Sequence, residues 1–100
     1  MNKYGLFVQF TTHPGQRDAL AALLLEAAAA AQDIAECELY LVSVPESEPD
    51  CVYVTEVWSH KEAHDASLEA EETRASIQRA MPLIAGVASQ TLIPLGGKGL

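Results

Sequence analysis

The feature that most constrains this chain is the apolar segment 52–58, which ends in the only tryptophan and runs straight into a helix start. The segment is rich in the β-branched and aromatic residues that favour strands. Ser59, followed three residues later by Glu62, forms a capping-box pattern that predicts a helix directly after the strand. Ligands often lie where a strand end meets a helix start in small α+β folds. We therefore expect a functional site near Trp58.

The same reading along the chain predicts one domain, residues 1–100, with a flexible tail at 95–100. The predicted elements are strand 4–12, helix 16–32, strands 36–44 and 51–58, a helical region from 59 that breaks near Ala70, and strand 87–94. The His13-Pro14-Gly15 turn ends the first strand, and Pro82 and Gly86 end the helical region. The order β-α-β-β-α-β predicts an α+β, ferredoxin-like sandwich.

Both faces of the predicted hairpin are apolar. Pairing Val44 with Cys51 also pairs Cys37 with Trp58, and this register divides the apolar residues between two faces. One face carries Cys37, Leu39, Leu41, Val52, Val54 and Trp58, and the other carries Tyr40, Val42, Val44, Tyr53 and Val57. Two helices can cover only one face of a four-stranded sheet. We therefore expect a homodimer in which the second face, through Tyr40, Val42, Tyr53 and Val57, packs against another copy.

Composition excludes several classes of protein. A formal net charge of −8, with only 6 Lys and Arg, argues against a nucleic-acid or anionic-membrane partner. The chain has neither an apolar run long enough for a membrane span nor a signal-peptide pattern, so we expect a soluble, cytoplasmic protein. The histidine and cysteine spacing does not suggest a metal site. In the register above, Cys37 and Cys51 lie about 23 Å apart along the ladder, which is too far for a disulfide.

The sequence resembles the antibiotic biosynthesis monooxygenase family of small dimeric α/β-barrel proteins, which includes quinol monooxygenases. The resemblance covers nearly the whole chain. The segments that carry it are Pro14-Gly15, Cys37-Glu38-Leu39-Tyr40, Glu56-Val57-Trp58, Glu62-Ala63-His64 and Pro82-Leu83-Ile84. It implies oxygenation of a small electron-rich aromatic or quinol ligand by dioxygen, without a cofactor. The deprotonated substrate would itself give an electron to dioxygen.

The resemblance also implies roles for particular residues. Trp58 matches the family's pocket tryptophan, and His64 falls where some relatives carry a side chain that can hydrogen-bond a phenolic oxygen. Trp58 and His64 are thus the candidate catalytic residues. The candidate substrate-binding residues are Trp58, Glu56, Ala63, Ser67 and Cys37. An imidazole that is neutral near pH 7 can serve as a general base.

Each of these residues also has a structural interpretation. Trp58 could be core packing at a strand end, and His64 could face solvent from a helix. Glu56 could be a buried base with a raised pKa, or an edge residue in an ion pair. Cys37 could be a small buried hydrophobe.

Two positions depart from the family pattern. Many relatives carry histidine at the position of Ser67, whereas this chain has His64 one turn earlier. The haem-degrading branch uses an asparagine on the first strand, where this chain has Val8 and Gln9, so haem breakdown is disfavoured. Two functions remain open: a cofactor-independent monooxygenase, and a non-catalytic small-ligand-binding or stress-related dimeric barrel.

Overall fold

The computed structural model describes residues 2–100 and confirms the predicted α+β, ferredoxin-like class. The elements are β1 (Tyr4–Thr12), α1 (Arg17–Ala31), β2 (Cys37–Ser43), β3 (Cys51–Trp58), α2 (Lys61–Ser67), α3 (Glu71–Ala80) and β4 (Ile84–Leu92), with a 3-10 turn (Met81–Leu83) before β4. The helical region does break near Ala70, which is the N-cap residue of α3. No helix among residues 2–100 is long and apolar enough to cross a membrane.

The sheet is antiparallel throughout, in the order β2-β3-β1-β4. The inner strand β3 alternates between two faces, so Val52 and Val54 lie on the same face as Trp58. Both valines are buried almost completely, together with Leu20 of α1. The helices therefore cover the face that carries Trp58, and they leave the face of Phe7 and Tyr53 open.

Helix α1 forms because leucine and alanine dominate its sequence, and both favour helix. Its less exposed positions include the whole predicted apolar face: Leu20, Leu23, Leu24, Ala27, Ala28 and Ala31. Small alanine side chains in the second half of the helix permit a close approach to the sheet. Leu20 is the side chain of α1 that is fully buried in the core.

The register predicted for the hairpin is wrong over most of its length. Cys37 does pair with Trp58, but a bulge between Cys37 and Leu39 shifts the rest of β2 by one residue. A shift of one residue moves every following side chain to the opposite face. Tyr40 and Val42 consequently lie on the helix-covered face, whereas Leu39 and Leu41 lie on the open face. The sequence offers no signal for the bulge, because both registers bury apolar residues.

Two predicted element boundaries are also wrong. The N-cap residue of α2 is His60 and not Ser59, since His60 Nδ1 accepts a hydrogen bond from the Ala63 amide at 3.1 Å. Gly86 does not end a helix. The helical region ends at the 3-10 turn that contains Pro82. Strand β4 begins at Ile84, so Gly86 pairs with Thr11 inside the sheet.

Gly5 allows the C-terminal segment to approach β1 closely. It lies opposite Val57 of β3 on one side and Leu92 of β4 on the other. A Cβ atom at this position would lie 3.0 Å from the Leu92 carbonyl oxygen and 3.2 Å from Pro94 Cγ. The absence of a side chain thus lets Pro94 pack over β1 at the end of the sheet. Beyond it, Leu95 is exposed.

Replacing Leu20 with alanine should lower the free energy of unfolding by about 2–5 kcal/mol, because it removes a fully buried side chain and leaves a cavity. Urea denaturation followed by Trp58 fluorescence measures the change. Leu25→Ala on the same helix is the matched control, since Leu25 is 57% exposed, and it should change stability little. Equal effects of the two variants would contradict the assigned orientation of α1.

Candidate functional site

The candidate site lies where α2 packs on the Trp58 end of the sheet. The His60 cap starts α2 directly after β3, and the first turn of this helix brings His64 over the sheet. The His64 ring centroid lies 5.6 Å from Trp58, edge to face, and 5.0 Å from Tyr4. His64 is 8% exposed and Trp58 only 2%. The predicted pair is therefore in contact, and His64 does not face solvent.

Glu56 places a carboxylate inside this aromatic cluster. Strand alternation puts it on the Trp58 face of the inner strand β3, where it is only 9% exposed. Trp58 Nε1 donates a hydrogen bond to Glu56 Oε1 at 2.9 Å. Burial raises the pKa of the Glu56 carboxyl, while the Trp58 hydrogen bond and the nearby His64 partly oppose that rise. Glu56 is thus a buried acid, and the edge-strand interpretation is wrong.

Cys37 and Tyr40 of β2 complete the buried side of the cluster. Cys37 lies opposite Trp58, and the bulge places Tyr40 opposite Glu56. Burial, with a further contribution from the Glu56 charge, raises the pKa of both the Cys37 thiol and the Tyr40 hydroxyl. Both side chains therefore stay neutral at physiological pH, so they contribute packing and neutral hydrogen-bonding groups but no charge.

Two members of the cluster, Tyr4 and Tyr40, were not among the predicted site residues. Tyr4 is the partner of Trp58 across the β1–β3 ladder, so the strand pairing could have identified it. The register expected from the sequence places Tyr40 on the opposite face, and the bulge after Cys37 brings it to this one. Tyr4 adds aromatic surface beside His64, and Tyr40 adds a ring opposite Glu56.

An open cleft of about 430 Å³ lies beside the cluster, between α2 and the segment that precedes β2. Its lining residues are Ile34, Glu36, His60, Glu62, Ala63, Ala66 and Ser67. The predicted binding residues Ala63 and Ser67 therefore do line a cavity. The Trp58 and His64 rings do not line it, since both are buried between α2 and the sheet. Ser67 Oγ donates to the His64 carbonyl oxygen at 2.6 Å, which fixes Ser67 against the helix.

The solvent side of His64 is occupied by charged residues of α2. His64 Nδ1 lies 3.1 Å from Asp65 Oδ1, and Lys61 Nζ lies 2.6 Å from Asp65 Oδ2. The pKa of the Asp65 carboxyl is lowered, first by the Lys61 hydrogen bond and then by the one to His64. Across residues 2–100, no group of three or more histidine, cysteine, aspartate or glutamate side chains is arranged to hold a metal ion.

Comparison with known proteins identifies the family. The model of the antibiotic biosynthesis monooxygenase family matches residues 4–79, which is most of the chain. The chain belongs to this family. A crystal structure from Chloroflexus aurantiacus, provisionally assigned as an antibiotic biosynthesis monooxygenase, is 38% identical over 95% of both chains with a TM-score of 0.87.

More distant family structures share the fold. A provisionally assigned antibiotic biosynthesis monooxygenase from Caulobacter crescentus is 16% identical, covers 95% of this chain and 92% of its own, and has a TM-score of 0.88. One from Deinococcus radiodurans is 22% identical over 94% and 93% of the two chains, with a TM-score of 0.81. No curated protein matches the chain. Family membership supports a general monooxygenase-like function.

Replacing Glu56 with glutamine should stabilise the protein increasingly as the pH rises. Because the pKa of Glu56 is raised in the folded protein, folding favours the protonated carboxyl. This stabilisation is fully present below the ordinary glutamate pKa of 4.5, and it is lost at higher pH as the carboxyl ionises in the folded state. Glutamine stays neutral and can still accept the Trp58 hydrogen bond. Urea unfolding of both proteins at acid and neutral pH measures the difference. A difference that does not change with pH would contradict the raised pKa.

Proposed function

We propose that this protein is a cofactor-independent monooxygenase that oxidises a small electron-rich aromatic or quinol substrate with dioxygen. The observation that carries the proposal is the buried group formed by Glu56, Trp58 and His64. Such a reaction needs aromatic walls, a low-polarity surrounding and a group that takes a phenolic proton. The Trp58 and Tyr4 rings supply the walls, and His64 is the proton acceptor.

The chemistry follows from the substrate. A phenol or quinol that loses its proton to His64 becomes an electron-rich anion, which can transfer an electron to dioxygen. The resulting radical pair combines at a ring or benzylic carbon to form a peroxide. Where that carbon is a methylene, loss of water gives the carbonyl product, so that one oxygen atom enters the product and the other leaves as water. The buried surroundings disfavour early release of charged intermediates.

Substrate would enter through the cleft lined by Ala63 and Ser67. Both residues lie on α2 next to His64, but the His64 ring projects from this seven-residue helix towards the sheet and is buried there. Access to the imidazole therefore requires α2 to move away from the Trp58 face. Short helices at the surface are among the segments that open locally at low cost in free energy. In this proposal, α2 is the element that admits the substrate.

Replacing His64 with alanine should lower the rate of oxygen uptake by about 100-fold or more, as expected for loss of a general base. The assay measures oxygen uptake across hydroquinones, naphthols and anthrones. His13→Ala is the matched control, since His13 lies in the turn after β1, far along the chain from α2.

An unchanged rate and pH profile in His64→Ala would assign proton removal to solvent or to Glu56. Thermal unfolding of the variant must be measured in parallel, because His64 packs on Trp58 and Tyr4. His64→Gln keeps much of the volume and a hydrogen-bonding group but cannot accept the proton, so it should lose activity while retaining more of the stability.

A second candidate function is non-catalytic binding of a small ligand in the cleft. The specific observation in its favour is that neither Trp58 nor His64 lines the cleft. A binding protein would gain thermal stability with aromatic ligands but consume no oxygen above background. The oxygen-uptake assay therefore separates the two functions.

The proposed active form is a homodimer assembled through the open face of the sheet. This face carries partly exposed apolar side chains, among them Leu39, Leu41 and Leu92, alongside Phe7, whereas Val57 on the same face is already buried at 6% exposure. Burying such a surface contributes about 25 cal/mol for each Å² removed from water, before the costs of association. A second copy presents the same apolar face, so a two-fold symmetric contact would pack apolar side chains of one copy against apolar side chains of the other.

Replacing Leu41 with glutamate should convert the dimer to a monomer, because it places a charge within this apolar surface. Sedimentation at micromolar concentration should give one species of about twice 10.7 kDa for the wild type and half of that mass for the variant. Leu25→Glu is the matched control. Leu25 is similarly exposed, at 57% against 50%, but it lies on α1. A well-folded wild-type monomer would contradict the dimer.

A further inference from the structure

His64 is surrounded by groups from three elements, and each limits what its imidazole can do. Tyr4 of β1 and Trp58 of β3 pack against the ring. The buried Glu56 of β3 is close enough for its charge to interact with that of His64. On the solvent side, Asp65 of α2 is the group within hydrogen-bond distance, with 3.1 Å between its Oδ1 and His64 Nδ1. The ring is therefore held by aromatic contacts and oriented by one carboxylate.

A neutral imidazole has one N–H group and one nitrogen lone pair, whereas an ionised carboxylate can only accept hydrogen bonds. A hydrogen bond between Nδ1 and Asp65 therefore requires the proton on Nδ1. The lone pair must then lie on Nε2, at the other side of the ring. The hydrogen-bond partner of one ring nitrogen therefore determines whether the other nitrogen carries the proton or the lone pair.

We propose that Asp65 is a positioning residue that holds neutral His64 in the Nδ1-protonated tautomer and so leaves Nε2 free to take the substrate's phenolic proton. This inference rests on the proposed function of His64 as a general base. Asp65 does not itself touch the substrate. It acts by fixing which nitrogen is basic and by stabilising the imidazolium that forms when the proton is transferred.

The surroundings of Asp65 suit this role. Lys61 binds Oδ2 at 2.6 Å, one helical turn earlier, which leaves Oδ1 for His64 and fixes the plane of the carboxylate. The lowered pKa keeps Asp65 ionised throughout the neutral range. Because Asp65 is half-exposed, it also lies between His64 and solvent.

Asp65→Asn is the decisive variant. Asparagine has the same shape, but its amide can donate to Nδ1 and so favour the opposite tautomer, with the proton on Nε2. We expect kcat for oxygen uptake to fall by about 10-fold or more with little change in KM, as for an aspartate that orients a catalytic histidine. Asp65→Glu keeps the carboxylate and should recover part of the activity.

Long-range ¹H–¹⁵N NMR of the histidine ring nitrogens gives a readout that does not depend on activity or on substrate. His64→Gln identifies the His64 signals among the three histidines. The wild-type protein should show a protonated Nδ1 and an unprotonated Nε2 at neutral pH, and Asp65→Asn should shift the population towards the other tautomer. A wild-type His64 protonated at Nε2 would overturn the proposal.

Two controls separate this role from a structural one. Lys61→Met breaks the same Lys61–Asp65 ion pair but leaves the Asp65–His64 contact, so its thermal unfolding shows what the pair contributes to the helix. Glu69→Gln removes one charge from an exposed residue that pairs with Arg74, and it should change neither the NMR signals nor the rate. Full activity in Asp65→Asn, with the tautomer shifted, would exclude Asp65 from the reaction. A wild-type protein with the expected tautomer but no oxygen uptake would refute the monooxygenase and leave the Asp65 contact standing.

Discussion

The pairing of β3 with both β1 and β2 is the constraint on which the rest of the structure depends. As an inner strand, β3 has hydrogen-bonded neighbours on both sides, so its side chains point only towards the helices or towards the open face. Val52 and Val54 build the core with Leu20 of α1. The same alternation continues to Glu56 and Trp58, and a carboxylate is thereby buried beneath α2.

A buried carboxylate is a costly feature in a domain of 100 residues. Taking a charged group out of water costs several kcal/mol unless it is neutralised or well paired. Here the single hydrogen bond from Trp58 Nε1 offsets only part of that cost, and the pKa of Glu56 rises as a result. An apolar residue would pack at this position without any such penalty. Local conflicts of this kind are most often found at functional sites, which supports placing the site in this cluster.

The two faces of the sheet serve different purposes. On the helix side, the rings of Tyr4 and Trp58 pack against His64, Tyr40 lies opposite Glu56, and α2 covers Trp58 and Glu56. On the open side, Leu39 and Leu41 form an apolar surface that the three helices leave uncovered. The β2 bulge connects these features, because it turns Tyr40 inwards and Leu41 outwards at once. A change in the bulge would therefore alter both the site and the surface proposed for the dimer.

The sequence by itself determined the order and type of the elements. The local pattern of residues sufficed for this, because the β-branched residues of 51–58 favour a strand and the many alanines of α1 favour a helix. It also sufficed for the contact between Trp58 and the helix that follows, because only two residues separate β3 from α2.

The tertiary structure alone decided which side chains meet. The bulge after Cys37 depends on pairing between strands, and either register would bury apolar residues, so the positions of Tyr40 and Leu41 could not be read from the pattern. The His60 cap was likewise undetermined, because Ser59 and His60 can both accept a hydrogen bond at a helix start. The burial of His64 and its contact with Tyr4 required β1 to lie beside β3. Local propensity acts over a few neighbouring residues, whereas these contacts join residues that are far apart in the chain.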